Sequence, residues 1–108
     1  MKLLLTIVQD ADAGRLQQGL SAEGFQSTKL ASTGGFLREG NTTFIIGIEE
    51  KDEPRVMEII HETCRERNRI VAGSAFHAPE GSFTAYPVEV PVGGAIVFTL
   101  GVESFTRV

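Results

Sequence analysis

Leu3-Leu4-Leu5-Thr6-Ile7-Val8-Gln9-Asp10 is the stretch from which the fold is read. A near-continuous apolar run of this length suits a central strand, covered by helices on one side and by another surface on the other. Asp10 stands where a helix N-cap belongs, and Ala13, Leu16 and Leu20 recur at helical spacing. The run therefore leads into an amphipathic helix, for which Gly24 is a natural stop. With Met1 and Lys2 in front, the same run superficially looks like a signal peptide. It is short, and Gln9-Asp10 follows it with no small-residue cleavage site, so a buried strand is the expected reading.

Outward from this β-α unit, Phe25 to Ser32 reads as a strand, with Ser27 and Lys29 alternating against Thr28 and Leu30. Thr33-Gly34-Gly35 interrupts it. A further strand runs from Asn41 to Glu49, with Phe44, Ile46 and Ile48 on one face. Asp52 and Pro54 open a second helix, whose inward stripe is Val56, Ile59, Ile60, Thr63 and Cys64. Asn68 is its expected terminator. The segment from Arg69 to Pro87, with Gly73, Pro79 and Gly81 and the aromatics Phe76, Phe83 and Tyr86, is read as one long functional connection. Val88 to Val92 alternates as an edge strand would, and Pro91 argues against a central place. After Gly93-Gly94, Ala95 to Val102 is the last strand, with Ile96, Phe98, Leu100 and Val102 on one side.

The order is β-α-β-β-α-β with one extra strand segment. That is an α+β, ferredoxin-like plan: an antiparallel sheet with two helices on one face, in a single domain spanning residues 1–108. Two helices cover one face of a sheet. The apolar positions left on the other imply burial by oligomerisation.

Composition narrows the function. The 108 residues are 42% hydrophobic and 22% charged with a net charge of -4, which fits a globular chain rather than a disordered one. A basic face able to track a nucleic-acid polymer is not expected. Arg65, Arg67 and Arg69 alternate with Glu62 and Glu66 and read as a solvated helix end. No stretch is long enough to span a membrane as a helix. One cysteine, Cys64, excludes an internal disulfide and favours a reducing compartment, so the cytoplasm is the expected address.

Catalytic chemistry is hard to assemble from these residues. His61-Glu62 begins like a zinc-protease helix motif, but Arg65 occupies the second histidine's place. His77 has no second ligand near it in sequence, so no metal site or cofactor is expected. Cys64 falls on an apolar stripe and reads as packing. Glu49, Glu50, Asp52 and Glu53 suit a turn and a helix N-terminus. The chain is not expected to be an enzyme.

The informative segment is Thr28-Lys29-Leu30-Ala31-Ser32-Thr33-Gly34-Gly35-Phe36-Leu37-Arg38-Glu39-Gly40-Asn41-Thr42-Thr43-Phe44. Hairpin connections are usually polar, whereas this one places Phe36 and Leu37 behind two glycines. Glycine backbone can present N–H groups to an anion, Phe36 offers a face to a base, and Asn41 offers a donor and an acceptor to a base edge. Equally, Phe36 and Leu37 could pack on a neighbouring subunit. Gly35 to Thr42 spells G-x-x-x-x-G-N-T, close to a P-loop, but it lacks the lysine and leads into a strand rather than a helix.

This segment resembles the signature of the PII-like receptors for cyclic di-AMP. So do Val8-Gln9-Asp10, Tyr86-Pro87-Val88-Glu89-Val90, and Val92-Gly93-Gly94-Ala95 with Val97-Phe98. The resemblance implies a ferredoxin-like homotrimer with a nucleotide in each of three clefts between subunits. It implies that Thr28 and Asn41 hold the adenine with backbone near Gly47, and that Phe36, Leu37 and Phe98 give apolar contacts. Gly93 and Gly94 would let backbone lie close to the ligand, and loop rearrangement would signal to a downstream protein. The chain departs from the family pattern at Gly24 and Gln26, where asparagine and arginine are usual. A glutamine replaces an arginine–phosphate contact only weakly. An alternative function is therefore a PII-like interaction module that has lost cyclic di-AMP or binds another adenine nucleotide. A trimeric metal-handling protein of the same fold is disfavoured by the scarcity of histidine and cysteine.

Overall fold

Backbone pairing builds the architecture from the centre outward. A computed structural model describes residues 1–32, 40–71 and 88–108. The elements are β1 (Lys2–Gln9), α1 (Asp10–Ala22), β2 (Ser27–Ser32), β3 (Asn41–Ile48), a 3-10 turn (Glu50–Asp52), α2 (Glu53–Cys64), β4 (Arg67–Val71), β5 (Val88–Val92) and β6 (Ala95–Gly101). Four strands form one antiparallel sheet in the order β2-β3-β1-β6. The apolar run that opens the chain is thus an interior strand, paired on both edges. This strand order, with two helices packed on one face, is consistent with the ferredoxin-like plan.

The core lies between that sheet and the helices. Leu4 and Val8 of β1 and Phe44, Ile46 and Ile48 of β3 meet Ala13, Leu16 and Leu20 of α1 and Val56, Ile59, Ile60 and Cys64 of α2. These residues sit at period two on the strands and near period 3.6 on the helices, as one-sided burial requires. Each large side chain among them gains about 1.5–3 kcal/mol by leaving water. Between the helix ends, Arg55 of α2 bridges Glu23, donating from Nε at 2.6 Å and also from Nη2. That bond holds the Glu23 carboxyl below its usual range. Its stabilising effect is present above the ordinary carboxylate range and is lost as pH falls through the lowered value. Being exposed, the pair contributes little.

Several boundaries differ from expectation. α2 ends at Cys64 rather than at Asn68, because Gly94 N–H donates to the Cys64 carbonyl and Arg65 N–H closes on His61 at 3.1 Å. Arg67 and Arg69 therefore do not belong to a solvated helix end. They lie on β4, which pairs with β5 as a separate two-stranded sheet, giving two extra strands instead of one among the described residues. The connection expected from Arg69 begins as strand. Pro91 faces Asn68 at the margin of this small sheet, where a missing N–H is tolerated. Asp10 is the first residue of α1 and Gln9 is the N-cap, with no side-chain cap bond. The Asp10 carboxylate instead accepts from Thr42 Oγ1 at 2.6 Å, and its N–H donates to Gly40 O at 2.9 Å.

Cys64 is fully buried, and desolvation pushes its thiol above the ordinary range. The native protein at pH 8 should therefore react with a thiol reagent at least a hundred-fold more slowly than the unfolded chain. Equal rates would remove Cys64 from the core. The same shift makes stability fall as pH rises through the ordinary thiol range, where only the unfolded chain ionises.

Candidate functional site

Cross-strand neighbours share a face, so the register fixes what the uncovered side of the sheet presents. Thr28 faces Ile45, Ile45 faces Leu5, and Leu5 faces Phe98, forming one row across all four strands. Gly47, Leu3 and Leu100 form a parallel row, and Asn41 and Gln9 another. Leu30, Phe98 and Leu100 are 41%, 46% and 43% exposed, too much for core side chains. This is the apolar face that the helices leave uncovered.

Thr28, Asn41, Gly47 and Phe98 thus lie on one face, at different places. Thr28 and Phe98 stand on opposite edge strands, roughly 14 Å apart at the usual strand spacing, with Ile45 and Leu5 between them. Asn41 is four residues along β3 from the partner of Thr28, or about 13 Å. Unlike the exposed Thr28, Asn41 is buried, as is its neighbour Gln9. Phe36 and Leu37 lie outside the described residues.

A cleft of about 500 Å³ gathers Thr28 and Gly47 with Gln26, Ile45, Leu3, Met1, Val102 and Phe105. Its size suits a small-molecule ligand. Gln26 therefore stands beside Thr28, and among the described residues none of the lining side chains is charged. Lys29 points to the opposite side, because it faces Phe44 on the helix-covered surface. Gly24 has φ of 81° just after α1. Asparagine is the residue that best shares this left-handed region with glycine, so the turn accepts either.

Gly93 and Gly94 are placed differently from the other candidates. Both have positive φ, 84° and 88°, in the turn between β5 and β6. Gly93 N–H donates to Gln9 Oε1 at 2.6 Å. A Cβ on Gly93 would lie 2.5 Å from Arg67 Nη1 and 2.6 Å from the Arg65 carbonyl. Within this chain the close backbone approach at Gly93 is thus made to the end of α2 and to β4. Gly94 borders a separate groove with Ala95, Val97, Met57 and His61.

Sequence reasoning passed over Gln9, Met1, Val102 and Phe105. Gln9 lay in a matched motif, but its bond to Gly93 joins positions 84 residues apart. Val102 N–H donates to Met1 O at 3.2 Å, which brings the tail to the cleft. No local pattern announces such a closure. Among the described residues no group of three or more histidine, cysteine, aspartate or glutamate side chains could hold a metal ion. No helix among them is long and apolar enough to cross a membrane.

Comparison with known proteins gives two findings. The family model described as cyclic-di-AMP receptor matches residues 1–108. A crystal structure of a functionally unknown protein from Pediococcus pentosaceus is similar over 99% of this chain and 96% of that one. Its TM-score is 0.79 at 43% sequence identity.

The two kinds of glycine separate by experiment. Gly93→Ala should destabilise the fold by about 2–4 kcal/mol, from left-handed strain plus the clash. Gly47→Ala meets nothing within 4 Å and should change stability by less than about 0.5 kcal/mol. Denaturant melts check both, and equal effects would refute the distinction.

Proposed function

The chain belongs to the cyclic-di-AMP receptor family, and from that premise we propose that it is a nucleotide sensor, not an enzyme, with cyclic di-AMP as its first ligand. The observation that carries this reading is the gathering of Thr28 and Gly47 in one cleft of a chain matched to the family from end to end. Thr28 and Asn41 hold adenine edges, Gly47 leaves room for the base, and Phe98 gives it an apolar face. Phe36 and Leu37 add apolar contacts from the hairpin segment, and Gly93 and Gly94 hold the nearby turn in place.

The spacing of these residues supports a site shared between subunits. Thr28 and Phe98 occupy opposite edges of one sheet, so a ligand touching both is best served by two copies placed edge to edge. Three copies around an axis would bury the open apolar face and create three such clefts. This is the PII-like homotrimer, operating in the cytoplasm as a single-domain module. Ligand would favour one arrangement of the two loops expected from the sequence, Thr33 to Gly40 and Arg69 to Tyr86, and a downstream protein would read it.

Gln26 favours a second reading. In the position beside Thr28 where the family carries arginine, this chain carries Gln26, whose side chain brings no positive charge to a phosphate. A protein-interaction module that has lost cyclic di-AMP, or that takes another adenine nucleotide, would have such a cleft.

Isothermal titration with cyclic di-AMP, against cyclic di-GMP, ATP and AMP, decides between them. The sensor reading expects selective binding near one ligand per chain, weakened at least ten-fold by Asn41→Ala. It also expects Gln26→Arg to tighten binding roughly ten- to hundred-fold, the worth of a charge-assisted phosphate contact. Absence of heat with cyclic di-AMP in both wild type and Gln26→Arg would overturn it.

Assembly has its own test. Sedimentation should give a trimer, and Leu100→Glu should break it by placing a charge on the buried face. A monomeric wild type would refute the shared cleft.

A further inference from the structure

We propose that the cleft between the start of α1 and β4, lined by Gln9, Arg15, Arg67, Asn68 and Arg69, is a second binding site, for a compact oxyanion of the phosphate class. It measures about 360 Å³ and shares no lining residue with the cleft around Thr28 and Gly47. The proposal does not depend on cyclic di-AMP binding.

The argument begins with charge. In a chain of net charge -4, three guanidinium groups from two elements converge on one cavity. Arg67 donates to Asp12 from Nη2 at 2.8 Å and from Nη1 at 3.3 Å. Arg15 Nη2 donates to the same carboxylate. Asp12 is wholly buried, so its single negative charge is committed to these two partners. Among the described residues, one carboxylate against three guanidiniums leaves a surplus of two positive charges. Arg69 lies two residues beyond Arg67 on the same side of β4. It has no ion-pair partner among the described residues.

Geometry then favours an anion over a merely structural cluster. Asp12 fixes the tips of Arg15 and Arg67 from below, as a preorganised site requires. The side chains of Arg15 and Arg67 remain 57% and 37% exposed, so part of each guanidinium fork still faces the cleft. Gln9 spends its carbonyl oxygen on Gly93, which leaves its amide N–H groups as donors. The lining is therefore rich in donors, and its surplus charge matches a phosphate dianion. Forked guanidinium donors fit phosphate oxygens in pairs.

The test is an NMR titration of the full chain, following arginine Nε–H and backbone amide signals. The probes are inorganic phosphate, AMP as an organic phosphate monoester, and sodium chloride at matched ionic strength. The signals of Arg15, Arg67 and Arg69 should shift together and saturate, while Arg55 stays still. Saturation by inorganic phosphate assigns free phosphate as the ligand. Saturation by AMP alone assigns an esterified one. Arg69→Ala removes no Asp12 contact, so the amide spectrum should keep its folded dispersion while affinity falls roughly ten-fold or more. Shifts that do not saturate, that chloride reproduces, or that survive Arg69→Ala unchanged would overturn the site. The three arginines would then serve only Asp12 and the surface.

Discussion

A sheet that is apolar on both faces, with helices enough for only one, is the constraint on which everything else rests. β1 places Leu4 and Val8 toward the helices and Leu3, Leu5 and Ile7 away from them. The first set is covered within the chain, by α1 and α2. The second set continues through Ile45, Ile96, Phe98 and Leu100, and no described element of the same chain lies over Phe98 or Leu100, which remain nearly half exposed. An uncovered apolar surface of this breadth normally marks an interface. The same open face carries Thr28 and Phe98, and the proposed shared cleft rests on it.

The corner from Gln9 to Asp12 organises the other end of the molecule. Gln9 accepts the N–H of Gly93, Asp10 accepts the hydroxyl of Thr42 and donates its own N–H to the carbonyl of Gly40, and Asp12 accepts from Arg67. Three residues within four positions thus tie the start of β3, the turn before β6 and the base of the β4–β5 pair to a single helix start. Both acidic residues lie in the first turn of α1, where the helix dipole favours them. Burying Asp12 would be costly alone, and its two arginine partners offset that cost. The same contacts draw Arg15 and Arg67 together beneath Arg69, so a structural requirement of the helix start creates a basic cleft in an acidic chain.

Much of this was legible in one dimension. The continuous run at Leu3 to Val8, the period-two faces of β3 and β6 and the stripe of α2 each give their element directly, because burial on a face selects residues at that face's spacing. The four-stranded sheet and its helices follow from them. β4 was not legible, because Arg67, Asn68 and Arg69 carry no apolar alternation and their pairing with β5 is made 20 or more residues away. Thr28, Asn41 and Phe98 came from motif resemblance. That they share a face required the register.

By itself, then, the sequence determined every element but β4, the α+β plan, the family and the surplus of apolar strand positions, since local spacing and composition encode burial residue by residue. Only the tertiary structure decided which residues meet. It put Gln26 beside Thr28, turned Gly93 toward the end of α2, and moved Arg67 from an apparent helix end onto Asp12. The contacts of Gly93 with Gln9 and of Arg67 with Asp12 join residues 84 and 55 positions apart, and no periodicity extends so far. Distance along the chain hides them, and only packing brings them together.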